Sequence, residues 1–211
     1  MKNRKSIRIL AECAIMIALG TVLSLIKIIK LPFGGSVTLV SMLPVCLVSV
    51  KYGNRVGLFA GFGFSTLQLL IGLPEAVSWG LTPLVFIAML FLDYLFAFTV
   101  LGIAGTFRRK GLPGILGGIA LAVFGRFVCH YISGVALWGG YAADYGFTSP
   151  WIYSLAYNGS YIGLEMVFVL IVAAILFQIK PVRALLLGPD MQDPVKKAGD
   201  EPAEDSGEDS D

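Results

Sequence analysis

Long apolar runs, divided by short polar loops, constrain this chain more than any other feature. They cover residues 9–29, 37–50, 56–71, 81–107, 112–138 and 152–179. A bilayer core of roughly 30 Å takes about 20 apolar residues of helix. In lipid the backbone must satisfy its own hydrogen bonds, so such runs are helices unless they close into a barrel. With 56% hydrophobic and only 14% charged residues, a water-soluble domain is excluded. The length of 211 residues suits one bundle. The expected fold is an all-α membrane protein, a six-transmembrane-helix bundle over residues 1–187 with a tail over residues 188–211.

Charge is segregated along the chain. Nine of the 14 acids lie in the tail, leaving Glu12, Glu75, Asp93, Asp144 and Glu165 in the body. A tail so acidic and so poor in apolar residues is expected to be disordered. Body lysines and arginines fix orientation, because cytoplasmic loops carry the excess. With the N-terminus inside, 11 fall on the inner side, at Lys2, Arg4, Lys5, Arg8, Lys51, Arg55, Arg108, Arg109, Lys110, Lys180 and Arg183. Only Lys27 and Lys30 fall outside, so both termini are expected in the cytoplasm, with the chain held in the plasma membrane. Basic residues used this way mark topology and give no reason to expect a nucleic acid.

The basic start followed by an apolar run could pass for a signal peptide. The run is too long, contains Glu12 and ends without an A-x-A site, so a retained first helix is expected. Arg8 and Glu12, one turn apart, are placed to pair. Ala14 and Ala18 form a small-residue face. It serves either packing within the bundle or docking to another membrane subunit. Pro32, Gly34 and Gly35 read as a mobile first loop, Pro44 as an interruption of a short second helix, and residues 72–80 as a loop. Cys13, Cys46 and Cys129 lie in apolar runs and read as core residues.

Within the fifth run, Arg126, His130, Gly134 and Trp138 recur every four residues, in one drifting stripe of a helix. A cation, an imidazole, a gap and an aromatic plane make a poor lipid surface. The stripe is either interhelical glue or one wall of a site for a polar, ring-shaped ligand. At about 1.5 Å per residue, Asp93, Arg126 and Glu165 share a similar depth, with Trp138, Tyr153 and Asn158 nearer the outside. These groups must face each other or a cavity open to the exterior. If all three charges are ionised, one negative charge remains, which suits a monocationic ligand. The alternative is a protonated carboxyl.

No P-loop pattern is present, so the chain cannot supply its own ATP hydrolysis. One histidine with distant carboxylates is a weak metal signal. Ser133 or Ser160 with His130 and Asp93 could assemble a hydrolytic triad, but no nucleophile elbow supports it.

The segment Arg126-Phe-Val-Cys-His130-Tyr-Ile-Ser-Gly134-Val-Ala-Leu-Trp138, the pair Asp93-Tyr94, and Tyr153-Ser-Leu-Ala-Tyr157-Asn158-Gly-Ser-Tyr161 resemble the thiamine-specific S components of energy-coupling factor vitamin transporters. The resemblance covers residues 8–180. It implies a six-helix, non-enzymatic subunit without a cofactor that binds thiamine from outside. Such a subunit works with one transmembrane coupling subunit and two cytoplasmic ATPases. It further implies that Asp93, Tyr94, His130, Gly134, Trp138, Tyr153 and Asn158 line the thiamine site, with Gly134 giving the ligand room. Ala14 and Ala18 would dock on the coupling subunit. Asp93 stands where some members carry glutamate, and Phe33 where some carry a tryptophan that covers the ligand. A component for another vitamin or for a hydroxymethyl-pyrimidine precursor is the alternative within the class.

Overall fold

The computed structural model describes residues 2–31 and 35–187. The expected turn at Pro32–Gly34 and the acidic tail lie outside the described residues. The chain runs through α1 (Lys2–Leu25), β1 (Lys27–Lys30), β2 (Ser36–Thr38), α2 (Leu43–Tyr52), α3 (Asn54–Ser78), α4 (Pro83–Ile103), α5 (Gly111–Ala136), α6 (Pro150–Gln178) and α7 (Lys180–Leu186). Five helices are long and apolar enough to cross a membrane: Arg4–Leu25, α3, α4, Arg108–Ala136 and α6. Their outward faces carry exposed residues such as Ile15, Phe59, Phe91, Phe124 and Ile171. That is the surface lipid requires.

The sixth run behaves differently. α2 has only 10 residues, about 15 Å at 1.5 Å per residue. It is nonetheless the centre of the core, with every residue from Leu43 to Val50 buried. Phe64 of α3, Leu101 of α4, Ile119 of α5 and Val169 of α6 surround it. Pro44 does not interrupt this helix. It sits in the first turn, where a missing N–H costs nothing.

The expected first loop is instead a two-stranded antiparallel hairpin, with Ile29 opposite Val37 and Lys30 opposite Ser36. β-Branched residues at 28, 29 and 37 favour that geometry. The first helix accordingly ends at Leu25, short of Ile29. Residues 72–78, expected as loop, are the last turns of α3, which continues through Pro74. Fully buried Ala76 shows that packing outweighs the lost backbone bond there.

α4 is not a regular α-helix. Over Leu90–Phe96 it widens into a π-helical stretch, and Asp93 and Tyr94 lie inside it. Such turns insert extra width and concentrate at functional sites. Arg8 pairs with Glu12 at 2.9 Å, and Glu12 also accepts bonds from Lys51, at 2.7 Å, and from the Tyr52 hydroxyl. These contacts fasten α1 to the end of α2.

Candidate functional site

The seven residues singled out on α4, α5 and α6 line one cavity. Asp93, Tyr94, His130, Gly134, Trp138, Tyr153 and Asn158 all contribute to its wall, and the empty volume is about 1130 Å³ with the mouth included. The hairpin adds Lys27, Gly35, Ser36 and Thr38, and α3 adds Gln68, Gly72, Glu75 and Trp79.

Asp93 is the hub. His130 Nδ1 lies 3.0 Å from one carboxylate oxygen. Ser133 Oγ donates to the other at 2.7 Å, and Trp138 Nε1 at 3.4 Å. A carboxylate only accepts, so the His130 proton sits on Nδ1 and the ring is oriented by that bond. Among the described residues, no lysine or arginine pairs with Asp93. Tyr94 fits beside it because α3 has no side chain at Gly72. A Cβ there would meet the Tyr94 hydroxyl.

Arg126 also lines the cavity but does not bond to Asp93. Its guanidinium pairs with Glu165 at 2.8 Å and lies 4.7 Å from the Phe98 ring centroid. Glu165 is fully buried and also accepts from the Thr38 hydroxyl and, at 3.3 Å, from the Thr38 backbone N–H. Of the three charges counted in the sequence, two therefore cancel in the core. The third, Asp93, stays at the cavity wall.

Three expectations change in detail. Gly134 lines the cavity, but the room it leaves is taken by α6, not reserved for a ligand. A Cβ there would meet Ser154 Oγ and, at 2.7 Å, Asn158 Nδ2. Asn158 spends both amide protons on α5 and α6, donating to His130 O and to Ser154 Oγ, each at 3.1 Å. Its oxygen accepts from Tyr161 at 3.1 Å and keeps one lone pair. The hydrolytic alternative fails on geometry. Ser133 donates to Asp93 rather than to His130, so the histidine is not placed to take its proton, and Ser160 Oγ donates to Tyr157 O at 2.7 Å. Among the described residues no cluster of three His, Cys, Asp or Glu side chains could hold a metal ion.

Other contributors stand in a different role or were left off the list. Ser133, weighed beside His130 and Asp93 as a nucleophile, is instead a donor that holds Asp93. Tyr157 and Tyr161 extend the face of Tyr153 at four-residue steps, with successive ring centroids 5.8 Å apart. Tyr157 also accepts the Gly35 N–H at 3.2 Å, tying the hairpin to α6. Trp79 and Glu75 had no signal, since their stretch read as a loop. Ala14 and Ala18 are exposed, so they are not packed within the bundle.

The thiamine transporter protein family matches residues 10–184. The chain belongs to that family. It is thus a multi-pass bacterial membrane protein of transport and not an enzyme. Thiamine transporter ThiT of Bacillus subtilis is 31% identical over 195 residues, spanning 86% of this chain and 96% of that protein. ThiT of Lacticaseibacillus paracasei is 28% identical over 201 residues, spanning 86% and 92%. Among solved structures, ThiT from Listeria monocytogenes matches with a TM-score of 0.73 and 25% identity, over 88% of this chain and 100% of that one.

Proposed function

We propose that this chain is the thiamine-binding S component of an energy-coupling factor transporter. Thiamine enters the cavity from outside, and its aminopyrimidine donates to Asp93. His130 and Trp138 flank the rings, and quadrupole attraction to Trp138 favours the thiazolium cation. Tyr94 and Tyr153 complete the wall, and Asn158 holds α5 and α6 at the spacing the site needs. The observation that carries this reading is Asp93, a carboxylate that among the described residues meets an imidazole, a hydroxyl and an indole but no lysine or arginine, in an aromatic cavity. A cationic ligand supplies the missing charge.

The six-crossing topology counts α2 together with the hairpin as one crossing. The excess of 11 basic residues over two supports cytoplasmic termini. Residues 1–187 form the membrane domain and 188–211 a cytoplasmic tail. The exposed Ala14–Ala18 face of α1 docks on a transmembrane coupling subunit, since small residues permit close helix approach. Two cytoplasmic ATPases then drive release inward, and no bond of thiamine breaks.

Tryptophan fluorescence of the purified protein tests the ligand. Thiamine is expected to quench it, Trp138→Ala to lose the response and Asp93→Ala to weaken it strongly. A wild-type protein indifferent to thiamine refutes the assignment. Tighter binding of the free aminopyrimidine than of thiamine makes the precursor the ligand.

A further inference from the structure

The end of α3 holds a pair of cavity-lining side chains to which the contacts proposed above for thiamine give no role. Glu75 and Trp79 are four residues apart, one turn of helix, and both line the cavity. Trp79 is half-buried, and its ring stands at 88° to that of Trp138 with centroids 5.3 Å apart. Trp138 is itself anchored, with its indole N–H on Asp93. The two indoles therefore form a corner rather than a stack. Glu75 is exposed at the mouth. Among the described residues, its carboxylate has no ion-pair partner.

Among the described residues, the cavity thus has two carboxylates without a lysine or arginine partner, on different helices. Asp93 on α4 is held by three donors inside the wall. Glu75 on α3 is held by none. A ligand with one hydrogen-bonding ring and one cationic ring presents two different demands. Asp93, with fixed geometry, suits the directional bonds of an aminopyrimidine. Glu75, exposed to solvent at the mouth, suits a charge without directional bonds. An aromatic ring beside it adds the quadrupole attraction that such a cation feels.

We infer that Glu75 and Trp79 are a specificity-determining pair that recognises the permanent positive charge of the ligand's second ring. The inference rests on the thiamine reading and deepens it, dividing the two rings between two helices. Charge discrimination then resides at the mouth, and hydrogen-bond discrimination at Asp93.

Calorimetry on the purified full chain tests this with three probes. They are thiamine, an uncharged isostere with carbon in place of the thiazolium nitrogen, and the aminopyrimidine fragment. For Glu75→Gln and Trp79→Leu, thiamine binding is expected to weaken about tenfold, within the range of a cation–aromatic contact. Binding of the neutral isostere and of the fragment should change less than about twofold, and Trp79→Phe should restore part of the preference. Fragment binding also shows that each variant is folded. Equal losses for thiamine and the neutral isostere would overturn charge recognition, as would unchanged thiamine binding in both variants. If the wild-type chain binds none of the three probes, it is the thiamine reading that falls.

Discussion

Two acid–base contacts lie one helical turn apart on α5, and they do opposite things. Arg126 with Glu165 is closed, with side-chain exposures of 8% and 0%. His130 with Asp93 is partly open, at 11% and 16%. The deeper pair balances its charge, adds the Phe98 ring and the Thr38 donors, and gives up its contact with water. The outer pair sets a carboxylate against an imidazole, a hydroxyl and an indole, so its negative charge is shared but not cancelled. Similar residue types one helical turn apart yield a fastener in one place and a receptor in the other. The difference is whether the neighbours include a permanent cation.

Removing one member of the closed pair should cause the largest effect. Glu165→Ala strands the Arg126 charge in the core and releases the hairpin at Thr38. A loss of about 3–5 kcal/mol is expected, as for breaking other buried pairs. Thermal or denaturant unfolding in detergent would show it, and Arg126→Met with Glu165→Leu should recover most of it. If Glu165→Ala alone is as stable as wild type, the pair is not a fastener.

At the open site the loss should appear in binding instead. Asp93→Asn preserves shape and removes the charge. Thiamine affinity should fall by about 1.5–3 kcal/mol, the scale of a hydrogen bond to a charged group, with little change in unfolding. A stability loss matching that of Glu165→Ala would erase the contrast. Next comes Gly134→Ala, which forces a methyl against Ser154 and Asn158 and should cost about 1–3 kcal/mol of stability by overpacking. A normal unfolding midpoint would mean that α5 and α6 can part freely. The smallest effect is expected from Ser133→Ala, which deletes one donor to Asp93 and should weaken binding by about 1 kcal/mol. Titration calorimetry resolves that difference, and no change would remove Ser133 from the site.

Much of the site was legible because helical spacing is local. The four-residue rhythm of Arg126, His130, Gly134 and Trp138 survives folding, although α5 itself ends at Ala136 and Trp138 follows in the next turn. The same arithmetic, carried on from Tyr153 to Tyr157 and Tyr161, would have enlarged the list. Trp79 and Glu75 were hidden because Gly72 and Pro74 are read locally as breakers, while their helix is held by packing against α4. The hairpin was hidden for a related reason. Its pairing partner lies beyond a turn, and strand formation depends on that partner more than on composition.

The sequence by itself determined that the chain enters a membrane, because the free energy of moving apolar side chains into lipid depends on composition and run length alone. It also determined that charged groups sit within the bilayer. Which charge is cancelled and which is left facing the cavity was decided only by tertiary structure. Arg126 could have met Asp93 or Glu165, and the distances between α4, α5 and α6 made the choice. Coulomb energy depends on those distances and on exclusion of water, and neither is written along a single helix.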